Sequence, residues 1–237
     1  MATAQIRFSA ADRRQQILDV ATGLFAQQGF NGTTTRQIAQ HSGVTEALIF
    51  RHFPTKDDLY WAVIERKIRA TGPAERIRQQ LSAGGTDLEV LARIAAEILE
   101  RRSKDHTLSR LLLYSALENH RLSHRFFRIY VAECYEVVAD YVRRRVTLGQ
   151  FRSVDPLLAA RGFLGMIIYH SWIQELYGGK RYQDFSVKQV STTLAGLWLQ
   201  GMLAGPEIKT FHPGLKSNNN ARPRRGQPHG TTRNDTE

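Results

Sequence analysis

Apolar residues recur along this chain three and four positions apart with polar residues between them, the spacing that turns one face of an α-helix into a core. No stretch of any length alternates in the manner of a strand. Ser9 with Asp12 has the form of a capping box. Ile17, Val20, Ala21, Leu24 and Phe25 then keep helical register until Gly29, so a first helix is expected over about 10–28. Thr34 with Gln37 is a second capping box and opens a short helix with Ile38 and Ala39 on its apolar face. Gly43 stands where a chain leaving a helix takes a positive φ, and Gly43 with Val44 makes the turn. Thr45 caps a further helix whose Ile49 and Phe53 share a face that packs back on Ile38. Pro54 stops it. Thr55 with Asp58 then opens a fourth helix to about residue 70, faced by Leu59, Val63, Ile64 and Ile68.

The rest is read in the same way. Breaks at Gly72–Pro73 and Gly84–Gly85 leave room for a short helix between them. Thr86 with Glu89 opens a helix to about residue 102, with Leu88, Leu91, Ala92, Ala95, Ile98 and Leu99 on its buried side. A helix over about 107–120 is apolar nearly all round, as a central helix would be. A long helix over about 123–148 is expected to point Phe127, Tyr130, Val131, Cys134, Val138, Tyr141 and Val142 inward. Asp155–Pro156 and Ser186 start two last helices, to about residues 177 and 203. These two are unusually apolar and carry Gly162, Gly165, Gly196 and Gly201, so a homodimer interface is expected there. Beyond Gly205 aliphatics give way to Pro, Gly, Asn and Arg, the composition of a disordered basic tail.

The expected fold class is therefore all-α. Residues 1–55 are expected to form a three-helix unit with a helix-turn-helix, the fourth helix (56–70) a connector, 71–205 a helical, dimerising body, and 206–237 the tail.

Composition narrows the chemistry more than it names it. With 42% hydrophobic residues in 237, a packed core is within reach. Cys134 is the sole cysteine, which excludes an internal disulfide, and no Cys/His set has zinc spacing, so no metal or cofactor is expected. There is no apolar run long enough for a signal peptide or a membrane span, which points to a cytoplasmic protein. The net charge of +11 favours a polyanionic partner, yet residues 1–70 hold nine basic against six acidic side chains. Charge alone does not locate a DNA surface. Residues 1–8 read as a frayed terminus and the tail as a solvated segment, with contact of Arg7, or of Arg222, Arg224 and Arg225, to a phosphate backbone as the alternative.

A helix, a short turn containing glycine and a second helix is the supersecondary unit that reads the major groove. Its flanks add specificity. Ile17, Leu18, Ala21, Leu24, Phe25, Gly29, Phe30, Thr34, Ile38, Ala39, Gly43, Val44, Ile49, His52, Phe53, Lys56 and Leu59 stand at the spacing of one family. The run from Arg14 to Leu59 resembles the N-terminal domain of the TetR family of transcriptional regulators. The resemblance implies a homodimeric, ligand-responsive DNA-binding protein, usually a repressor on a palindromic operator. Carried over by the motif, the DNA surface comprises Thr34, Thr35, Arg36, Thr45, Glu46, Ala47, Leu48, Phe50, Arg51, His52 and Lys56. Thr34, Thr45, His52 and Lys56 suit phosphates, and a helix N-terminus bearing Lys56 suits an anion. Arg36 and Arg51 suit guanine, and Glu46 a cytosine amino group. Where many relatives carry a basic residue, Gly, Thr and Tyr, this chain has Glu46, Ala47, Leu48 and Phe50, which predicts a different operator.

The resemblance further implies a small-molecule effector in the body. Trp61, Tyr114, Phe127, Tyr130, Cys134, His170 and Trp172 are candidates: aromatic walls with a few polar atoms, suited to a hydrophobic or aromatic ligand. The contrasting class is a helical small-molecule-binding protein or enzyme that does not bind DNA. No phosphate loop, nucleophile motif or metal-spaced His/Glu set supports an enzyme, and Glu118 with His120 at a helix end needs no catalytic reason. A redox role for Cys134 is opposed by its setting between Val131 and Val138, which predicts an inert thiol.

Overall fold

The computed structural model describes residues 9–204, so Arg7 and the tail, with Arg222, Arg224 and Arg225, lie outside the described residues. The first half is built of α1 (Ala10–Gln28), α2 (Thr35–Ser42), α3 (Glu46–His52), α4 (Lys56–Thr71), α5 (Pro73–Ser82) and α6 (Asp87–Lys104). There follow α7 (Thr107–Leu117), α8 (Arg121–Phe126), α9 (Ala132–Thr147), α10 (Pro156–Glu175) and α11 (Val187–Met202). A π-helical stretch, Phe127–Val131, joins α8 to α9. The chain is all-helical apart from one isolated antiparallel bridge, Phe151 to Leu203, among the described residues.

The local signals act where the sequence puts them. Capping boxes close on α1, α2, α4 and α6, each with a Ser or Thr oxygen on the third-residue N–H and a return bond from that residue's side chain. Gly43 is left-handed at φ 60°, a conformation that a side chain would oppose, and this breaks α2 from α3.

Two apolar clusters hold the helices. One gathers Ile17, Phe25, Ile38, Ile49, Phe53, Leu59 and Val63 from α1 to α4, and also takes in Leu111, Leu122 and Phe126 from α7 and α8. The other packs α6, α9, α10 and α11 through Leu91, Ile94, Val138, Val142, Phe163, Ile167 and Trp198. The Trp198 indole N–H donates to the carbonyl of Ala159, so even this large ring enters the core with its polar atom satisfied.

Several inward assignments are corrected. The helix expected at the centre, α7, buries Ser109, Leu111 and Ser115, while Leu117 is 80% exposed. Phe127 was expected inward and is exposed, whereas its neighbour Phe126 is buried. The π-helical stretch accounts for this, because a wider turn rotates the side chains that precede it relative to those that follow. Leu88, expected on the buried side of α6, is also exposed.

Candidate nucleic-acid interface

The helix-turn-helix is built from both ends. Thr34 Oγ1 accepts from the Gln37 N–H at 3.1 Å, and Thr45 Oγ1 from the Leu48 N–H at 3.2 Å, which fixes where α2 and α3 begin. Ile38, Ile49 and Phe53 are buried between these helices and α1, and the Arg14 guanidinium lies 4.8 Å from the centre of the Phe53 ring. With the apolar face spent inward, the residues singled out from the sequence are left partly or fully outside the core of the unit.

Thr34, Arg36, Thr45, Glu46, Ala47, Phe50 and Arg51 are exposed, and Thr35, Leu48, His52 and Lys56 are half-buried. Arg36 and Arg51 enter no ion pair among the described residues. Their guanidinium groups are therefore uncommitted, as a surface that meets an anion requires. Phe50 presents a ring that is 44% exposed on the same face, an apolar contact rather than a hydroxyl donor.

Two side chains are more committed than their positions suggest. Glu46 accepts from the Thr35 hydroxyl at 2.7 Å, tying the first turn of α3 to the first turn of α2. The Lys56 ammonium stands 4.2 Å from the centre of the Phe30 ring, and burial lowers its pKa while Glu118 and Asp57 act in the opposite direction. It is turned toward the junction with α7, although it heads α4.

The effector candidates do not gather around one cavity. Trp61 and Tyr130 stack at 6.2 Å, with Arg125 4.0 Å from the Trp61 ring centre. Phe127 lies against Tyr135, at 6.4 Å between ring centres. The Tyr114 hydroxyl donates to the Gln27 carbonyl, and so belongs to the contact between α7 and α1. Burial, followed by the charge of Glu133, pushes the Cys134 thiol up to about 11. His170 lines a cavity of about 220 Å³ with Leu99, Ser171, Gln174, Phe185 and Val190, and its pKa is lowered by burial. The indole nitrogen of Trp172 and the amide oxygen of Gln174 are buried without a hydrogen-bond partner. A larger cleft of about 590 Å³ lies between α1, α4 and α7, lined by Thr22, Gly23, Arg66, Lys67, His106 and Arg110, and none of the seven candidates borders it.

Sequence reasoning missed the Glu118 carboxylate, which accepts from the backbone N–H groups of Phe30 at 3.1 Å and Asn31 at 3.2 Å. Its partners are 88 and 87 residues away, beyond any local pattern. Among the described residues no helix is long and apolar enough to cross a membrane, and no group of three His, Cys, Asp or Glu is placed to hold a metal ion.

Known proteins share both halves of this arrangement. Residues 17–63 match the family described as "Bacterial regulatory proteins, tetR family", and residues 87–194 the "AefR-like transcriptional repressor, C-terminal domain". The HTH-type transcriptional regulator AcrR of Shigella flexneri is 40% identical over 91 residues, which span 38% of this chain and 42% of that protein. The similarity to this curated relative thus spans about two-fifths of its length. A solved TetR-family regulator from Mesorhizobium loti superposes with a TM-score of 0.64 at 19% identity, over 84% of this chain and 100% of that one. The transcriptional regulator FadR from Bacillus subtilis, solved in complex with stearoyl-CoA, superposes with a TM-score of 0.61 at 19% identity, over 79% of this chain and 98% of that one. With a helix-turn-helix that matches one model of this family and a helical body that matches another, the chain belongs to the TetR family of transcriptional regulators, DNA-binding proteins rather than enzymes.

Proposed function

We propose that this regulator is a cytoplasmic repressor that binds a palindromic operator as a homodimer and changes its hold on DNA when a small molecule occupies the body. The reading rests above all on Arg36 and Arg51, exposed and in no ion pair among the described residues, on the face that α2 and α3 turn away from their core. Arg36 and Arg51 carry base recognition, by the bidentate geometry that guanidinium shares with the guanine edge. Thr34, Thr45, His52 and Lys56 hold phosphates; Thr35, Glu46, Ala47, Leu48 and Phe50 complete the surface. Glu46 orients α3 through Thr35 in the free protein, and Phe50 and Ala47 offer apolar contact to thymine methyls.

Dimerisation is assigned to α10 and α11, which leave Leu158, Tyr169 and Leu197 each at least 60% exposed, more apolar side chain than two helices of a monomer ordinarily give to water. The division into a head (1–55), a connecting α4 (56–70), a ligand-binding and dimerising body (71–205) and a tail (206–237) follows from the same reading. The FadR structure carries an acyl-CoA. For this chain an effector with a hydrophobic or aromatic moiety is inferred, with the stacked Trp61–Tyr130 pair and the cavity at His170 as its two candidate walls.

Selection from a randomised duplex pool tests the reading. An inverted repeat is expected, with half-sites about 34–36 Å apart so that both recognition helices enter successive major grooves. Recovery of unrelated sequences with no shared motif would overturn it.

A further inference from the structure

One stripe of α7 faces the end of α1. Arg110, Tyr114 and Glu118 are spaced four residues apart and so project from one side of the helix and its cap. Arg110 Nε donates to the Ala26 carbonyl at 2.6 Å, and the Tyr114 hydroxyl to the Gln27 carbonyl at 2.9 Å. Glu118 then accepts from the N–H groups of Phe30 and Asn31. The last turn of α1 carries no basic residue of its own, so α7 supplies the donors that its terminal carbonyls lack. Past the end of α1 the same stripe switches from donor to acceptor, as the backbone begins to offer N–H groups.

The corner that presents Glu118 is stiff. Asn119 takes φ 49°, the left-handed conformation that asparagine accepts after glycine at a helix end, and three backbone bonds close the turn: Glu118 to Tyr114, Asn119 to Ala116 and His120 to Ser115. The next residues grip α4, with His120 Nε2 3.5 Å from Asp57 Oδ1 and Arg121 3.1 Å from the same carboxylate. Between them lies the Phe30 ring, 4.1 Å from the His120 ring and 5.3 Å from Tyr60. Gly29 has φ 75°, and a Cβ there would collide with Glu118 Oε1, so the chain leaves α1 directly under the carboxylate. Five residues after Gly29, Thr34 begins the helix-turn-helix.

We propose that Glu118 is a positioning residue for DNA recognition: from the end of α7 its carboxylate clamps the Phe30–Asn31 backbone and thereby sets the pose in which α2 and α3 meet the operator. Glu118 touches no DNA. The clamp gives the body a hold on the head in addition to α4, and a shift of α7 pulls on the loop in front of the recognition unit. The inference rests on the DNA-reading role of α2 and α3, and the test separates the two.

Full-length wild type, Glu118→Ala and Glu118→Gln are compared for affinity to the duplex that the wild type selects, and for amide hydrogen exchange at Phe30 and Asn31. Losing both charge-assisted bonds in Glu118→Ala is expected to weaken binding about tenfold and to speed exchange at those two amides, without changing base preference. Glu118→Gln keeps one acceptor oxygen of the same reach for one of the two amides and turns its NH2 toward the other, so the other amide is expected to lose its protection in this variant as well. Wild-type affinity and protection in Glu118→Ala would overturn the proposal, as would a changed base preference or unchanged protection of both amides in Glu118→Gln. Should the wild type select no sequence, the DNA reading fails, and exchange at the two amides decides the clamp by itself.

Discussion

The head and the α10–α11 pair meet water in opposite ways. In the head, Ile17, Phe25, Ile38 and Ile49 are at most 1% exposed, and what remains outside is mostly polar apart from Phe50 and Ala47, with Arg36 and Arg51 in no ion pair among the described residues. On α10 and α11, Phe163 and Ile167 are fully buried, yet Leu158, Tyr169 and Leu197 stand in solvent. A surface of uncommitted cations awaits a polyanion, and a surface of uncommitted apolar groups awaits another apolar surface. The contrast is what the proposed reading uses to give one face to DNA and the other to a second copy.

Breaking the apolar face should have the largest effect. Leu158→Asp with Leu197→Asp places unpaired carboxylates in the proposed interface, and sedimentation should show dimerisation weakened by about a hundredfold or more. An unchanged dimer would move the interface off α10 and α11. Within the head, Ile49→Ala removes packing at the centre of the unit while leaving its outer face intact. Denaturant unfolding should show a loss of about 2–4 kcal/mol, and a loss near zero would mean that α3 is held by its caps alone. The smallest effect expected is at Cys134, half-buried on α9 against the body cluster. Its thiol pKa is raised to about 11, so it is neutral at ordinary pH and forms thiolate only as pH climbs toward that value. Alkylation of the native protein should therefore rise about tenfold per pH unit from pH 7 upward until near 11. A rate that levels off near pH 8 would contradict the burial.

Much of the fold was legible because its signals are local. Ser9–Asp12, Thr34–Gln37, Thr55–Asp58 and Thr86–Glu89 each sit three residues apart, and each closes as a capping box. The exposed residues of α2 and α3 were legible for a related reason: once Ile38, Ile49 and Phe53 turn inward, helical geometry fixes which neighbours turn out. The failures are non-local. A sequence that is apolar all round, as in α7, does not say which side finds a partner, and Leu117 finds none among the described residues. A π-helical turn breaks the period on which an inward assignment of Phe127 depends. Tyr114 looked like a pocket wall because it is aromatic, but its hydroxyl holds the end of α1. Glu118 looked idle at a helix terminus until the fold brought Phe30 and Asn31 beneath it.

The central claim, that α2 and α3 read DNA through the cations they leave free, is tested most directly by the affinity of Arg36→Ala/Arg51→Ala for the duplex selected by the wild type. With two direct contacts removed and the core untouched, a loss of about a hundredfold or more is predicted, at unchanged thermal stability. Wild-type affinity in that variant would contradict the account.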